Sequence, residues 1–458
     1  MAMAQRLFGT NGVRGVVNED MTVQLAMDLG RAIGTHMGGR VAIGNDSRTS
    51  CDMLKSSVAA GLMSAGVEVL DLGLVPTPAL QFYVQGHDVS GGVMITASHN
   101  PPEFNGMKCV DRDGTEMSRS KEEAIEETYF ARDFREKSWK EIGSVRKVSG
   151  AVARYLSSIS RLVDIESIRT SGITVALDCA NGAGAVSTPF LLESLGVRAI
   201  TINCNPQGTF PGHPSEPTED NLTDLMNLVK NSSSDVGIAQ DGDGDRTIFV
   251  DDLGHYVYGD RSLALIAESI VRERGGGIVV TPVSTSLVVE EVVVAAGGEV
   301  VYTMVGAPIV ARKMREIGAV FGGEENGGLI FPELQYCRDG AMAAAKMLEI
   351  ISKQGPLSRL VERLPQYHLE KRKVNCPNEH KERVMDMLCD RFKSKEIDLT
   401  DGAKLYVDEG WVLIRPSGTE PIFRIISEGK TKNHAQKYAE DFERQVKEII
   451  ADLMSGSK

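Results

Sequence analysis

The chain contains 458 residues, which is too long for one ordinary hydrophobic core, so three or four domains are expected. Hydrophobic residues make up 42% and charged residues 25%, as in a soluble globular protein, and the net charge of −13 argues against a nucleic-acid-binding surface. The sequence has no apolar run of the ~18 residues that a membrane span needs, and its start lacks the apolar core of a signal peptide. Seven cysteines without a CxxC pair indicate reduced thiols. We therefore expect a cytoplasmic protein that binds neither nucleic acid nor a membrane.

A strand–helix–strand unit occurs three times along the chain. Each unit has an apolar strand, a polar loop, a helix ended by glycine and a second apolar strand, which is typical of parallel βαβ units. The units begin at residues 41–44, 173–177 and 277–280, and each is followed by a third apolar strand, at 92–95, 236–239 and 319–321. The repeat predicts three α/β domains of one design.

The last part of the chain follows a different pattern. From about residue 371 it has strands around 403–407, 411–414 and 423–427, and then a charged amphipathic helix over 434–454. The predicted fold class is therefore α/β, with three similar domains of mixed, mostly parallel sheets and a C-terminal α+β domain around a central cleft. The predicted domains are residues 1–150, 151–252, 253–370 and 371–458.

Ser98 follows the apolar strand at residues 92–95, in the run TASHNPP at residues 96–102. Each proline fixes its own φ and biases the preceding residue towards extended geometry, so this loop is stiff. A stiff loop at a strand end holds a hydroxyl in place, as a covalent nucleophile requires. A turn that merely ends the strand is the alternative interpretation.

Asp241, Asp243 and Asp245 alternate with glycines in the run DGDGDR, which ends at Arg246. An EF-hand calcium loop would need glycine at the position of Arg246 and helices on both sides, but the flanking residues read as strands. A few carboxylates and a phosphate oxygen are the usual ligands of Mg²⁺ in phosphoryl transfer, so the loop predicts a magnesium site. A solvated acidic turn is the alternative, although three aspartates without a cation repel each other.

Two further loops also follow predicted strands. The third domain has GGEENGG at residues 322–328, and the C-terminal domain has RPSGTEP at 415–421. The second of these offers a guanidinium, two hydroxyls and a glycine amide, which suit a phosphate dianion, and Arg424 adds a second cation. Ligands of open α/β sheets bind at the carboxyl ends of strands, so the loops of the three repeated domains are expected to face one cleft.

The four runs TASHNPP, DGDGDR, GGEENGG and RPSGTEP occur in the order of the motifs of the α-D-phosphohexomutase superfamily. The chain resembles this superfamily over essentially its whole length. The run LFGTNGVRG at residues 7–15 resembles the start of the phosphoglucosamine mutase branch and its archaeal relatives. The resemblance implies transfer of a phosphoryl group between O6 and O1 of a hexose phosphate, through a phosphoserine at Ser98 and a bisphosphorylated sugar. Glucosamine 6-phosphate is the favoured substrate, and mannose and glucose phosphates are the alternatives.

The same resemblance implies a role for each site residue. One Mg²⁺ per chain would be held by Asp241, Asp243, Asp245 and a phosphoserine oxygen of Ser98. Lys108, Arg14 and His99 are the candidates for proton transfer or electrostatic support, although His99 would equally suit a hydrogen bond within its loop. The residues implied in substrate binding are Arg246, Arg261, Glu324, Asn326, Arg415, Ser417, Gly418, Thr419 and Arg424. An ion pair with an aspartate is the alternative for Arg246, and an exposed helix position is the alternative for Arg261.

The implied partners are small molecules, namely a sugar phosphate and hexose 1,6-bisphosphate as activator and intermediate, for a protein that is a monomer or a homodimer. The GGEENGG loop at residues 322–328, which the resemblance implies is the sugar loop, departs from the usual family pattern Gly-Glu-x-Ser-Gly-His, because Asn326 replaces the serine and Gly328 the histidine. Glu324 and Asn326 can still hydrogen-bond two sugar hydroxyls, so the departure concerns the sugar and not the reaction.

Two other classes of function were compared with a mutase. A sugar-phosphate phosphatase would need no distant phosphate clamp such as the Arg415 loop. A non-catalytic sugar-phosphate sensor would have no need of Ser98, three aspartates and Lys108 together. Both comparisons favour the mutase.

Overall fold

The computed structural model describes residues 6–9, 11–393, 396–417 and 420–455. These residues form four β-sheets, which have six, five, four and five strands in chain order. Within the described ranges, no helix is long and apolar enough to cross a membrane. Three α/β domains with mixed sheets precede an α+β domain, which confirms the predicted fold class.

The first sheet is mixed and contains the first predicted βαβ unit. Its strands are β1 (Val13–Val16), β2 (Arg40–Asn45), β3 (Glu68–Leu74), β4 (Gly91–Ile95), β5 (Phe104–Asp111) and β6 (Val145–Lys147). The strand order is β1-β5-β4-β2-β3-β6, in which β2 is parallel to β3 and β4, and β5 is antiparallel to β1 and β4. The helices are α1 (Val23–Met37), α2 (Cys51–Ser64), α3 (Thr77–Gly86) and α4 (Arg119–Ala131).

The second sheet repeats this design. Helices α5 (Ala151–Ser160) and α6 (Ile165–Ser171) precede it, and its strands are β7 (Thr174–Asp178), β8 (Arg198–Ile202), β9 (Val236–Gln240), β10 (Thr247–Val250) and β11 (Tyr256–Val257). Helices α7 (Thr188–Ser194) and α8 (Thr223–Ser232) connect them. The order is β11-β10-β9-β7-β8, with β7 parallel to β8 and β9, so the sheet includes residues on both sides of the predicted boundary at 252.

The third sheet is the smallest of the repeated three. Its elements are α9 (Gly259–Arg274), β12 (Gly277–Pro282), α10 (Leu287–Ala295), β13 (Gly298–Thr303), α11 (Ala307–Ile317), β14 (Phe321–Gly323), β15 (Leu329–Ile330), α12 (Gly340–Gln354) and α13 (Leu357–Glu362). β12 is parallel to β13 and β14. β14 begins at Phe321, two residues later than the predicted strand, and includes the first two glycines of the GGEENGG run. A Cβ at Gly322 would lie 2.6 Å from the carbonyl oxygen of Val280 on β12, so the close pairing of these strands requires glycine there.

The C-terminal sheet is antiparallel throughout. Its elements are β16 (His368–Asn375), α14 (Lys381–Phe392), β17 (Ile397–Asp398), β18 (Ala403–Val407), β19 (Gly410–Pro416), β20 (Ile422–Gly429) and α15 (Lys432–Ser455), and the strand order is β16-β20-β19-β18-β17. β18, β19, β20 and α15 correspond to the strands and the amphipathic helix predicted from the sequence.

One hydrophobic core joins the three α/β domains. It includes Leu70 of β3, Val175 of β7 and Val279 of β12. Helix α12 is buried at every position from 340 to 351, which explains its mostly apolar and small residues, and the two charged residues of this span, Lys346 and Glu349, pair with each other at 2.8 Å. Because the three domains share this core, the strand ends that bear the predicted loops are held in fixed relative positions.

The fourth domain has a core of its own. Val412 of β19, Phe423 of β20 and Phe442 of α15 belong to it. A small cluster of Val283, Trp411 and Leu413 joins this domain to the third. The fourth domain is therefore attached to the other three through far fewer buried apolar residues than those three share among themselves.

We expect Gly259→Ala to destabilise the fold. Gly259 begins helix α9, and a Cβ there would lie 1.8 Å from the carbonyl oxygen of Glu325 in the sugar loop. The loop or the helix must move, and overpacking of this kind costs about 1–3 kcal/mol. Urea titration measures the free energy of unfolding.

Gly86→Ala is the matched control, because Gly86 ends helix α3 and no atom lies within 4 Å of an added Cβ. Equal losses of stability in the two variants would contradict the close packing of α9 against the sugar loop.

Candidate active site

The Ser98 loop and the aspartate loop are in direct contact. Ser98 lies beyond the carboxyl end of β4 and Asp241 beyond the carboxyl end of β9, and the Ser98 hydroxyl donates a hydrogen bond to Asp241 Oδ2 at 2.9 Å. A Cβ at Gly242 would lie 2.5 Å from the Ser98 carbonyl oxygen, so the glycine permits this approach. Two loops separated by about 140 residues of sequence therefore form one site.

Ser98 has a strained backbone, with φ of +51°. Only a small fraction of residues other than glycine adopt such a conformation, and it persists where surrounding contacts enforce it. Here the Ser98 amide donates to Thr96 Oγ1 at 2.8 Å, and the Thr96 hydroxyl donates to Asp46 Oδ2 at 2.6 Å. These bonds fix the direction of the Ser98 hydroxyl.

Arg48 stabilises the Ser98 loop through its backbone carbonyl oxygens, and the sequence did not predict this role. Its Nη2 donates to the carbonyl oxygens of Ser98 and Asn100 at 2.9 and 2.6 Å, and its Nη1 donates to those of Pro101 and Phe104 at 2.6 and 2.8 Å. The guanidinium also pairs with Asp46 at 3.3 Å, and both side chains are fully buried. The signal was present, because Asp46 and Arg48 follow β2, which lies beside β4 in the sheet.

Asp241, Asp243 and Asp245 are buried, and one carboxylate oxygen from each lies within 4.8 Å of the corresponding oxygens of the other two. Lys108 Nζ, on β5, donates to Asp243 Oδ2 at 2.7 Å and Asp245 Oδ2 at 3.0 Å. The other oxygens of these two residues, Asp243 Oδ1 and Asp245 Oδ1, are buried without a hydrogen-bond partner among the described residues. Buried carboxylate oxygens that lack donors and converge on one point fit a hard divalent cation.

The charges within this cluster are unequally balanced. Burial, and then the neighbouring Asp245 and Asp243 carboxylates, raise the pKa of Asp241 well above its usual value. Burial also opposes ionisation of Asp243 and Asp245, but Lys108 and Arg338 respectively outweigh it and lower the pKa of each carboxyl. A divalent cation would supply the positive charge that Asp241 lacks, which supports the predicted metal site.

The three candidates for proton transfer lie around this cluster. Burial alone would lower the pKa of Lys108, but the Asp243 and Asp245 carboxylates raise it above its usual value. Arg14, on β1, donates from Nη1 to Asn100 Oδ1 at 2.9 Å and so lies against the Ser98 loop. Burial, followed by the charges of Arg246 and Arg14, lowers the pKa of His99 to about 3, and its Nδ1 has no partner among the described residues.

Arg246 lies between the carboxylates of its own loop. Its backbone amide donates to Asp241 Oδ1 at 3.2 Å, and its Nε lies 3.9 Å from both Asp241 Oδ2 and Asp245 Oδ1. The side chain also approaches Glu216 at 3.8 Å. These distances are long for ion pairs, so the guanidinium is a cation beside the site rather than a tightly bonded partner.

The sugar loop joins the site through its backbone and through Glu324. The Thr247 amide, just after the aspartate loop at residues 241–246 (the predicted metal loop), donates to the Gly327 carbonyl oxygen at 3.0 Å. Glu324 is buried and accepts the Gly306 amide at 3.1 Å, while Asn326 Oδ1 accepts the Gly328 amide at 3.0 Å. Three of the four predicted loops are therefore brought together.

Arg338 bridges two of these loops and was also missed. It precedes helix α12, where Asp339 is the N-cap, and is 6% exposed. Its Nη2 donates to Asp245 Oδ2 at 2.6 Å, and its Nη1 lies 3.5 Å from Glu324 Oε2. Arg338 does not follow a predicted strand, so the sequence does not mark it as a site residue. Its role becomes visible only from the packing of α12.

The remaining predicted residues lie elsewhere. Arg261 lines a cavity of about 600 Å³ and donates to Gln366 Oε1 at 2.9 Å. Arg415 pairs with Asp401 at 2.8 Å and Arg424 with Glu420 at 2.7 Å, while Lys381 Nζ donates to the Ser417 carbonyl oxygen at 2.5 Å. Gly418 and Thr419 lie outside the described residues.

Basic side chains form a row across the fourth sheet. Lys373 of β16 is directly opposite Arg424 of β20, and Arg424 is directly opposite Arg415 of β19. Like charges in directly opposed positions destabilise a sheet, and Asp401 and Glu420 offset part of this repulsion by pairing with Arg415 and Arg424. The row adjoins Ser417 of the predicted phosphate loop, which makes Lys373 a further candidate for phosphate binding.

Comparisons with known proteins agree over the whole chain. Models of the phosphoglucomutase/phosphomannomutase alpha/beta/alpha domains I, II and III match residues 5–136, 153–254 and 258–367, and that of the C-terminal domain matches 373–445. A phosphoglucomutase/phosphomannomutase of Thermococcus kodakarensis is 43% identical over 444 residues, which cover 95% of this chain and 97% of that protein. A probable phosphoglucosamine mutase of Methanopyrus kandleri is 41% identical over 452 residues, which cover 98% and 99%.

A solved structure is also similar over nearly its whole length. The crystal structure of a phosphoglucomutase/phosphomannomutase family protein from Burkholderia thailandensis superposes with a TM-score of 0.88 at 27% identity. The superposition covers 97% of each chain.

We expect Arg48→Lys to loosen the Ser98 loop. A lysine keeps the charge beside Asp46 but cannot donate to four carbonyl oxygens at once, and each hydrogen bond to a charged group contributes about 1.5–3 kcal/mol. Amide hydrogen exchange over residues 96–104 should accelerate by roughly tenfold or more, since 1.4 kcal/mol is a factor of ten.

Arg146→Met is the control, because Arg146 is 60% exposed and only approaches Glu68. If amide hydrogen exchange over residues 96–104 is unchanged in the Arg48→Lys variant, Arg48 does not hold the Ser98 loop.

We expect the His99 ring of the unphosphorylated protein to stay neutral between about pH 5 and pH 8, where an ordinary histidine titrates. With a pKa of about 3, roughly 1% of the rings are protonated near pH 5. An NMR titration measures this, with the His99 resonance identified by its loss in His99→Gln. A resonance that titrates with a midpoint inside this pH range would contradict the buried, positively charged surroundings of His99.

Proposed function

We propose that this chain, which belongs to the phosphoglucomutase/phosphomannomutase family and is therefore a phosphohexomutase, interconverts glucosamine 6-phosphate and glucosamine 1-phosphate. The name of the Methanopyrus kandleri relative supports this choice of sugar, at 41% identity over nearly the whole chain. The name of the Thermococcus kodakarensis relative makes glucose and mannose phosphates the second candidates for the same reaction.

The contact between Ser98 and Asp241 carries the proposal. A serine hydroxyl 2.9 Å from one of three converging carboxylates is placed to carry a phosphoryl group beside a metal ion. Asp241, Asp243, Asp245 and a phosphoserine oxygen would hold Mg²⁺, which would offset the charge of the transferring group. The aspartates alone would repel a phosphate, so they suit this task only together with cations.

The chain's own residues would carry out the transfer as follows. The bond between phosphorus and Ser98 Oγ breaks, a bond between phosphorus and the free sugar hydroxyl forms, and the hydroxyl proton passes to a nearby base. The resulting bisphosphate returns its other phosphoryl group to Ser98 by the same steps in reverse. Neutral His99 is the proposed base that accepts this proton, whereas Lys108, which its raised pKa keeps protonated, would donate a proton to the departing Ser98 Oγ. Arg14 would support the negative charge that develops, and Arg246 would orient the phosphoserine.

The row of Lys373, Arg424 and Arg415 supports a mutase over a phosphatase. A mutase must grip the phosphate that is not reacting, at a distance from the metal site, and hydrolysis needs no such grip. The Ser417 hydroxyl and the predicted Gly418 and Thr419 would complete the clamp, and Glu324 with Asn326 would hold sugar hydroxyls. Arg261 stays a predicted substrate residue on sequence resemblance alone.

The proposal includes hexose 1,6-bisphosphate as activator, because a dephosphorylated Ser98 can be recharged only by a phosphoryl donor of this kind. It also includes a cytoplasmic location, which the seven free cysteines suit, five of them buried. The protein would act as a monomer or a homodimer.

Activity with three sugars tests the proposal. With Mg²⁺ and a trace of bisphosphate, ³¹P NMR should show glucosamine 6-phosphate converting to the 1-phosphate, with a kcat/KM at least about tenfold above those for mannose and glucose 6-phosphates, or ~1.4 kcal/mol. Ser98→Ala should lower the rate by about a thousandfold or more, as the loss of a nucleophile does elsewhere. Exposed Ser120→Ala is the control and should keep full activity.

Two outcomes would decide against parts of the proposal. Release of inorganic phosphate without any isomer would make the protein a phosphatase. Faster turnover of glucose or mannose phosphate would keep the mutase and overturn the choice of glucosamine.

A further inference from the structure

The position of the missing histidine in the sugar loop is already filled by another side chain. Gly328 stands where the usual family pattern has histidine, and a Cβ added there would lie 2.2 Å from Cδ of Arg338 and 3.0 Å from its Cγ. The φ of Gly328 is not positive, so the backbone itself would accept a side chain. In this arrangement the Arg338 side chain, and to a smaller extent Asn326 Oδ1 at 3.0 Å, therefore occupies the space that a side chain at position 328 would need.

The guanidinium of Arg338 lies between the aspartate loop and the sugar loop. Nη2 donates to Asp245 Oδ2 at 2.6 Å in the metal loop, and Nη1 lies 3.5 Å from Glu324 Oε2 in the sugar loop. The second oxygen of Asp245 stays without a hydrogen-bond partner among the described residues, and so does the Nε of Arg338. A buried N–H without a partner is costly, and a ligand oxygen would satisfy it.

A purely structural role would explain less. If Arg338 only balanced the charges of Asp245 and Glu324, a tighter geometry would be expected on the Glu324 side, where the contact is 3.5 Å. The Nη1 group is therefore only weakly engaged. A planar cation with weakly engaged N–H groups beside a sugar-binding carboxylate can donate to an anionic sugar phosphate in two directions at once.

We propose that Arg338 takes the place of the absent sugar-loop histidine and donates hydrogen bonds directly to the sugar phosphate between the metal loop and Glu324. Gly328 and Arg338 then act together, because the glycine leaves the space that the arginine side chain occupies. This inference rests on the proposed function, because it assigns a further substrate-binding residue to the same site.

An exchange of the two positions tests the inference. Arg338→Ala should lower kcat/KM for glucosamine 6-phosphate roughly 10- to 100-fold, the usual value of a hydrogen bond from a charged group. Gly328→His alone should also be impaired, because its ring meets Arg338. The double variant Gly328→His/Arg338→Ala removes the clash and supplies a new donor, so it should be at least about fivefold more active than Arg338→Ala, or ~1 kcal/mol.

A binding measurement separates substrate contact from support of the metal site. Titration calorimetry with glucosamine 6-phosphate in EDTA should show weaker binding to Arg338→Ala than to the wild type, since the proposed contact needs no metal. Arg274→Ala removes an arginine paired with Glu333 outside the site, and should bind and turn over as the wild type does. If Arg338→Ala does not fold, Arg338→Lys replaces it, and binding intermediate between the wild type and no binding is expected.

Three outcomes would overturn the inference. The first is unchanged metal-free affinity in the Arg338 variant, and the second is a double variant no more active than Arg338→Ala. If the wild type is active, either of these results refutes the proposed role of Arg338 and leaves the proposed function standing. The third is a wild type that neither binds nor converts any hexose phosphate, which refutes the proposed function together with this inference.

Discussion

The site depends on bringing a serine hydroxyl against three buried carboxylates. The 2.9 Å contact between Ser98 and Asp241 joins loops from two domains, and each loop is costly by itself. Ser98 has a left-handed backbone, and the aspartates repel each other in a buried position. Arg48 and Thr96 hold the first loop through its own carbonyl and amide groups, whereas Lys108 and Arg338 neutralise part of the second. Part of the negative charge of the aspartates remains uncompensated, chiefly at Asp241, and a divalent cation would balance it.

The repeated architecture explains how such a site can be built precisely. Parallel strands β4, β9 and β14 occupy equivalent places in three sheets, and their carboxyl ends carry the serine, aspartate and sugar loops. A shared core, with α12 buried along most of its length, fixes these ends relative to one another. The fourth domain keeps its own core and carries its basic row on a separate sheet. One phosphate would then be bound by a rigid three-domain body and the other by a domain that is packed more independently.

Sequence patterns predicted the elements well because they are strongly apolar and regularly repeated. The βαβ units, the three loops and the C-terminal strands were all readable from runs of buried residues ended by glycine or proline. Ser98 and the aspartates followed from the loops, whereas Lys108 and Arg14 needed the family resemblance, since both lie within strands that pair beside the site. Arg48 and Arg338 were missed for a physical reason: one follows β2 and the other precedes α12, and their roles arise only when the sheet and the helix pack. The 600 Å³ cavity beside Arg261 was equally invisible, because residues from separate domains line it.

In the proposed mechanism, Ser98 carries a phosphoryl group from one sugar oxygen to another and does not pass it to water. Protein labelled with ³²P at Ser98 and mixed with unlabelled glucosamine 6-phosphate tests this in a single turnover. We expect the label to appear in the sugar bisphosphate and then in the monophosphates, with little inorganic phosphate. Release of most of the label as inorganic phosphate, at the same rate with or without the sugar phosphate, would contradict it.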